Sequence, residues 1–443
     1  MTDPLVTVDD LEKYYYENDT LLDRLTGAER EAVRAVDGVS FEVREGETLG
    51  VVGESGCGKS TLAETLMRLR EPTGGSVTFD GDPVFDLSGG DMDAFRRRAQ
   101  VMFQDPFSSL DPRMTAGEII TEPLAIHGVG TSGERRERAE TLLDEVGLSA
   151  DQIDRYPHEF SGGQRQRIGF ARALAIDPEF IVLDEPVSAL DVSVQAQVLN
   201  LLADMQAERD LTYLFIAHDL SVVRHISDRV AVMYLGEIVE IGPTEEIFED
   251  PKHPYTKALL ESVPRADTDE RDRTVETIRG DVPSPRNPPS GCSFRTRCPE
   301  LIQPPGLDLP QATFRGISEF RTRIENGDID VDLRWEQVGD PDREDREAFV
   351  DSLREEAFDT ELPDAEEETV SEAIRALADG DRETAAATLR ERYRSPCEAI
   401  DPGLPAGEHP SACLLNEQPE DVETAREEWE ADYEAPEAGA SSR

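Results

Sequence analysis

Val39, Phe41 and Val43 alternate with polar neighbours, Glu45-Gly46 follow as a turn, and Thr48–Val52 reads as a buried strand. That strand runs into a glycine-rich stretch. A helix then starts at about Lys59, with Leu62, Leu66, Met67 and Leu69 on one side, and ends before Pro72-Thr73-Gly74-Gly75. Residues from about 105 to 175 show helical spacing, as in Ala139, Leu142, Leu143, Val146 and Leu148, and predict a helical insertion in an α/β core. The core resumes with strands at 180–183 and Thr212–Ala217, separated by a helix over about 194–208. Short strands near Arg229–Tyr234 and at 237–241 close it.

Beyond Asp250 the texture changes. Residues 264–291 are rich in proline and charge, a connector with little core. Acidic helices are predicted over 341–358 and 365–394, the latter broken at Gly380, as a solvated excursion. Residues 417–443 read as a disordered acidic tail.

The charge alters this picture. With 45 basic and 96 acidic residues among 443, the formal net charge is −51, which disfavours broad binding to nucleic acid or anionic lipid. Carboxylates also run through segments that must fold, so the charge reads as adaptation to a very salty cytoplasm, where a Debye length of about 3 Å at 1 M screens self-repulsion. One acidic disordered tail is the alternative. No run of about 18 apolar residues is present to span a bilayer, and Met1-Thr2-Asp3-Pro4 lacks the marks of a signal peptide. The expectation is a cytoplasmic protein whose five cysteines are thiols or metal ligands.

Three stretches carry chemistry. Gly53-Glu54-Ser55-Gly56-Cys57-Gly58-Lys59-Ser60, with Thr61 next, fits a phosphate loop between a strand and a helix. Its glycines let backbone N–H groups surround a β-phosphate, Lys59 neutralises β/γ oxygens, and Ser60 can ligate Mg²⁺. Cys57, beside a helix N-terminus, should have a lowered pKa and alkylate readily, or else be an inert spacer. Phe160-Ser161-Gly162-Gly163-Gln164 bares the backbone ahead of a helix expected near Gln164, a second anion-binding surface. Two surfaces that cannot reach one nucleotide suggest an ATPase closing over ATP as a head-to-tail pair. Ile181-Val182-Leu183-Asp184-Glu185-Pro186 is a strand ending in two acids. Asp184 could hold Mg²⁺ through water and Glu185 could take a proton from attacking water, or both are solvated strand-end acids.

With Gln104 in Phe103-Gln104-Asp105-Pro106, Ser188-Ala189-Leu190-Asp191 and His218 in Ile216-Ala217-His218-Asp219, these stretches resemble the full motif set of an ABC-transporter nucleotide-binding subunit over roughly residues 5–262. The resemblance implies an α/β P-loop NTPase cassette with a mixed-sheet core, an antiparallel β subdomain and a helical subdomain. It implies that Tyr15 stacks on adenine, with Tyr14 and Tyr16 leaving the register open by one. Gln104 would sense the γ-phosphate and the metal, and His218 would contact the γ-phosphate. Ser161 and Gly163 would reach the partner's ATP, and Asp191 would communicate across the dimer.

Further stretches resemble the ATPases of dipeptide and oligopeptide importers, with nickel importers sharing the features: the phosphate loop itself, residues 103–114, and His253-Pro254-Tyr255-Thr256-Lys257-Ala258-Leu259-Leu260, while the long stretch between Tyr15 and Val39 resembles the F-type ATPase of the heterodimeric pairs. Two permease subunits, a second and different ATPase, an extracellular solute-binding protein, and a place on the cytoplasmic face of the membrane are implied. Cys292-Ser293-Phe294-Arg295-Thr296-Arg297-Cys298 with Cys397 and Cys413 also belong to the resemblance. Four thiolates suit a [4Fe–4S] cluster or Zn²⁺, the resemblance favouring the cluster, and free thiols are the alternative. The expected division is a cassette over 1–250, a cysteine-containing extension over 251–300 and 395–416, and the acidic insertion 301–394 between its halves.

Overall fold

The computed structural model describes residues 4–16, 32–103, 110–188, 190–261, 280–340, 342–358 and 361–433. Gln104 and most of the 264–291 connector lie outside the described residues. The chain divides into two compact units. The first holds Met1–Val275, Pro283–Pro288 and Gly407–Ser411, and the second holds Glu276–Val282, Pro289–Ala406 and Ala412–Arg443.

Ten strands are described in the first unit: β1 (Pro4–Tyr16), β2 (Ala32–Arg44), β3 (Thr48–Val52), β4 (Gly74–Phe79), β5 (Asp82–Pro83), β6 (Ala99–Met102), β7 (Phe180–Asp184), β8 (Thr212–Ala217), β9 (Arg229–Tyr234) and β10 (Glu237–Pro243). They form an antiparallel sheet of order β2-β1-β4-β5 and a six-stranded sheet of order β10-β9-β3-β8-β7-β6. In the larger sheet only the β9–β10 pair is antiparallel. Strands β3, β7 and β8 are buried along their whole lengths, as in a parallel sheet covered on both faces. Their registers put Val52 beside Ala217 and Asp184 beside Ile216. The residues that follow these strands therefore emerge together at one edge, where ligands of such sheets bind.

Nine helices are described in this unit: α1 (Lys59–Leu66), α2 (Gly89–Arg98), α3 (Ala116–Ile126), α4 (Ser132–Glu145), α5 (Gly162–Leu174), α6 (Val192–Arg209), α7 (Leu220–Ile226), α8 (Thr244–Glu249) and α9 (Pro254–Glu261). Helices α3, α4 and α5 pack together as the helical subdomain. Each opens with a capping box, formed by Thr115 with Glu118, Thr131 with Glu134, and Ser161 with Gln164. No helix among the described residues is long and apolar enough to cross a membrane.

The second unit corrects two expectations. Helices α10 (Gln311–Asn326), α11 (Val331–Val338), α12 (Arg346–Ala357), α13 (Asp364–Ala378) and α14 (Arg382–Tyr393) are not a solvated excursion. They enclose a core around Phe314, Phe320, Trp335, Phe349 and Ile374, and Cys397, Ile400 and Leu414 belong to the same core. Insertion and cysteine segment are thus one folded body, so the 300 and 394 boundaries fall inside it. The expected disordered tail contains α16 (Glu420–Asp432), which follows the short α15 (Pro396–Ala399). Glu420, Asp421 and Glu423 suit the positive end of its dipole. Trp429 stacks on Tyr433 at 5.1 Å, and the Tyr433 hydroxyl donates to the Arg392 carbonyl at 2.8 Å.

Candidate active site

The loop leaving β3 wraps a buried cation. Lys59 Nζ donates to the Gly53 carbonyl at 2.8 Å and the Glu54 carbonyl at 3.0 Å. Gly58 has φ 110°, and a side chain there would place Cβ 1.9 Å from the Ala35 carbonyl oxygen. At Gly53 a Cβ would lie 2.1 Å from the Met233 carbonyl oxygen. Glycine is thus required by close backbone approach as well as by φ.

The Ser60 hydroxyl stands 3.3 Å from Asp184 Oδ1 at the tip of β7. Burial, first, and the neighbouring Glu185 raise the Asp184 pKa, against the hydrogen bond from Ser60 and the charge of Lys59. A hydroxyl beside a buried carboxylate that is short of positive charge fits Mg²⁺. Glu185 sits at φ 46°, an unusual backbone for a residue with a side chain, and its N–H donates to the Ile216 carbonyl at 2.9 Å. Its Oε2 lies 3.2 Å from His218 Nδ1, and His218 is 54% exposed where Glu185 is 15% exposed. The structure therefore brings Lys59, Ser60, Asp184, Glu185 and His218 to one edge. A sheltered carboxylate held by an exposed imidazole can accept a proton from water arriving at that edge.

The Ser161 stretch has other neighbours. Helix α5 begins at Gly162, with Ser161 as its cap, because the box fixes the start two residues before the expected Gln164. A Cβ on Gly163 would meet Val194 Cγ1 at 2.4 Å, and one on Gly162 would meet Leu190 Cδ2 at 3.4 Å. Asp191 caps α6, accepting from the Val194 N–H at 3.0 Å and the Ser193 hydroxyl at 2.6 Å. Beside it Val192 is 81% exposed.

Tyr15 lies between two cations, with Lys13 Nζ 5.2 Å and Arg70 Cζ 5.5 Å from its ring centroid. The Tyr14 hydroxyl instead donates to Asp37. Asp37 donates from its N–H to Gly236, whose own N–H donates to the Cys57 carbonyl in the phosphate loop.

One reading of the cysteines is decided by burial, and another gains no support. Cys57 is 4% exposed, and burial raises its thiol pKa despite Lys59 nearby, which fits the inert-spacer reading and opposes the lowered pKa. The Cys292 N–H donates to the Cys397 carbonyl at 2.8 Å, and Cys298, Cys397 and Cys413 are near enough to Cys292 to act on it electrostatically. Burial holds the Cys292 thiol well above its usual pKa, with Cys397, Cys298 and Cys413 adding to it. Among the described residues no three His, Cys, Asp or Glu side chains stand where they could share a metal ion. The expected [4Fe–4S] cluster or Zn²⁺ gains no support from this geometry.

Residues 36–188 match the family model of the ABC transporter, and residues 239–303 match that of the oligopeptide/dipeptide transporter C-terminal region. The oligopeptide transport ATP-binding protein AppF of Bacillus subtilis is 54% identical over 294 residues, covering 66% of this chain and 88% of the relative. OppF of Escherichia coli is 55% identical over 269 residues, covering 60% and 80%. This chain belongs to the oligopeptide/dipeptide family of ABC-transporter ATP-binding subunits. A solved dimeric cassette, MJ0796 with ADP and Pi, is 30% identical over 54% of this ABC subunit and 98% of that chain, with a TM-score of 0.48. Residues 311–410 match a domain of unknown function, so this family member carries an additional helical body within its C-terminal half.

One site residue escapes the sequence. The Tyr255 hydroxyl reaches the phosphate loop, accepting from the Glu54 N–H at 2.9 Å. His253-Pro254-Tyr255 is legible as a family mark, but the contact spans 201 positions and only the sheet order closes it.

Proposed function

We propose that this chain is one cassette of a head-to-tail ATPase pair that powers import of dipeptides or oligopeptides, on the cytoplasmic face of the membrane. Two permease subunits, an extracellular solute-binding protein and a second ATPase of different sequence complete the machine. Nickel or another solute is the alternative cargo. The observation that carries the reading is the convergence of Lys59, Ser60, Asp184, Glu185 and His218 at one sheet edge.

In this reading Lys59 holds the β- and γ-phosphates, and Glu185 takes the proton of the water attacking the γ-phosphorus as ADP leaves. His218 contacts the γ-phosphate. Ser60 and Asp184, with Gln104, would hold Mg²⁺, which supplies neutralisation of phosphate charge when bound. Ser161 and Gly163 complete the partner's ATP site, Asp191 signals across the pair, and the Tyr14–Tyr16 run, Tyr15 foremost, carries the adenine. Only the γ-phosphates offset the free energy of closure, so hydrolysis reopens the pair.

Affinity purification from native membranes is expected to recover two membrane-spanning permeases and an ATPase of different sequence. Recovery of ribosomal or DNA-repair complexes instead would overturn the transport assignment.

The net charge of −51 we read as adaptation of a halophilic protein, by an archaeal cell, to molar salt. The denaturation midpoint is expected to climb as KCl rises from dilute to molar. Equal stability at both extremes would remove this part of the reading.

A further inference from the structure

The peptide group between Gly53 and Glu54 is gripped from both sides. Its carbonyl, on Gly53, accepts from Lys59 Nζ at 2.8 Å, and its N–H, on Glu54, donates to the Tyr255 hydroxyl at 2.9 Å. A peptide is planar, so whatever fixes the N–H fixes the direction of the carbonyl. Tyr255 is fully buried in α9, its ring 4.7 Å from that of Tyr234.

The start of α9 is itself anchored. The Tyr255 N–H donates to His253 Nδ1 at 3.0 Å, and the Lys252 and His253 N–H groups donate to the two carboxylate oxygens of Glu240 at 2.8 and 2.9 Å. Glu240 is wholly buried in β10, and its Oε1 lies 2.7 Å from His409 Nε2. The other ring nitrogen, Nδ1, lies 3.2 Å from Glu246 Oε2. A side chain at Gly242 would put Cβ 2.6 Å from His409 Cδ2, so glycine leaves the imidazole its place. The Ile241 N–H donates to the Pro410 carbonyl at 3.1 Å, and the Lys252 ammonium donates to the His409 carbonyl. Residues 407–411 therefore return to the first unit and brace the strand that orients α9.

We propose that Tyr255 is a positioning residue for ATP binding, setting the Gly53–Glu54 peptide that aims Lys59, and that His409 is its remote brace. The inference deepens the ATPase reading and rests on it. Tyr255→Phe keeps the buried ring and removes the hydroxyl that accepts from the Glu54 N–H. In the full-length chain, the KM and Kd for ATP should rise about tenfold, the effect of one lost buried hydrogen bond, while kcat stays within about twofold. Tyr213→Phe is the matched control. Its hydroxyl donates to the Leu202 carbonyl at 3.2 Å, and its loss should leave ATP affinity unchanged.

His409→Gln, which retains a donor for Glu240, should raise the ATP Kd about threefold alone and add less than that on top of Tyr255→Phe. Wild-type affinity in Tyr255→Phe, or an equal loss in Tyr213→Phe, overturns the positioning role. Full additivity, or no effect of His409→Gln, overturns the brace. A wild-type chain that binds no ATP removes the underlying ATPase reading instead, a distinct outcome.

Discussion

Glu185→Gln is expected to cut ATP turnover by about 10²- to 10⁴-fold, the range lost when a general base is removed, while ATP binding persists. The amide is nearly the shape of the carboxylate but cannot take the proton of the attacking water. The backbone at φ 46° and the hydrogen bond to Ile216 should survive, because the side chain makes neither. The variant should therefore accumulate ATP-bound closed pairs, read by size-exclusion chromatography with nucleotide and by single-turnover hydrolysis. Undiminished turnover would remove Glu185 from the role of base and leave the Glu185–His218 contact as packing alone.

Gly58→Ala is expected to lower ATP affinity about 100-fold, since misplacing a binding group by about 1 Å can lose that much. The new Cβ would stand 1.9 Å from a backbone oxygen of Ala35, and backbone cannot rotate away as a side chain does. Gly56→Ala is the internal comparison. It also has positive φ, 82°, but a Cβ there meets nothing within 4 Å, so it should suffer only the strain of the left-handed backbone, about 1–2 kcal/mol. Isothermal titration with a non-hydrolysable ATP analogue separates the two. Equal losses in both variants would mean that close approach to Ala35 does not govern the loop.

The sheet edge was legible because β3, β7 and β8 are buried on both faces and so read as continuous apolar runs, each stopping at a residue with chemistry. The start of α5 was legible to within two residues, since Ser161 and Gln164 stand at capping-box spacing. The inserted helices were not legible as a body. Their acidic faces dominate the composition, while Phe314, Ile317, Phe320 and Ile324, at helical spacing along α10, fill a core that needs Trp335 and Phe349 from other helices. The braces on the phosphate loop were hidden for another reason. Tyr255 lies 201 positions from Glu54 and His409 lies 169 positions from Glu240, distances that only a finished topology closes.

The late return of Gly407–Ser411 also has a meaning for biosynthesis. A growing chain emerges N-terminus first and domains tend to fold as units, yet this cassette lacks its last piece until the whole helical insertion has left the ribosome. Until then Glu240 has no His409 to meet it, and a carboxylate destined for complete burial is without its imidazole hydrogen-bond partner. Truncated or stalled chains would thus carry the phosphate loop, Ser161, Glu185 and His218 while β10 still lacks the segment that packs on it.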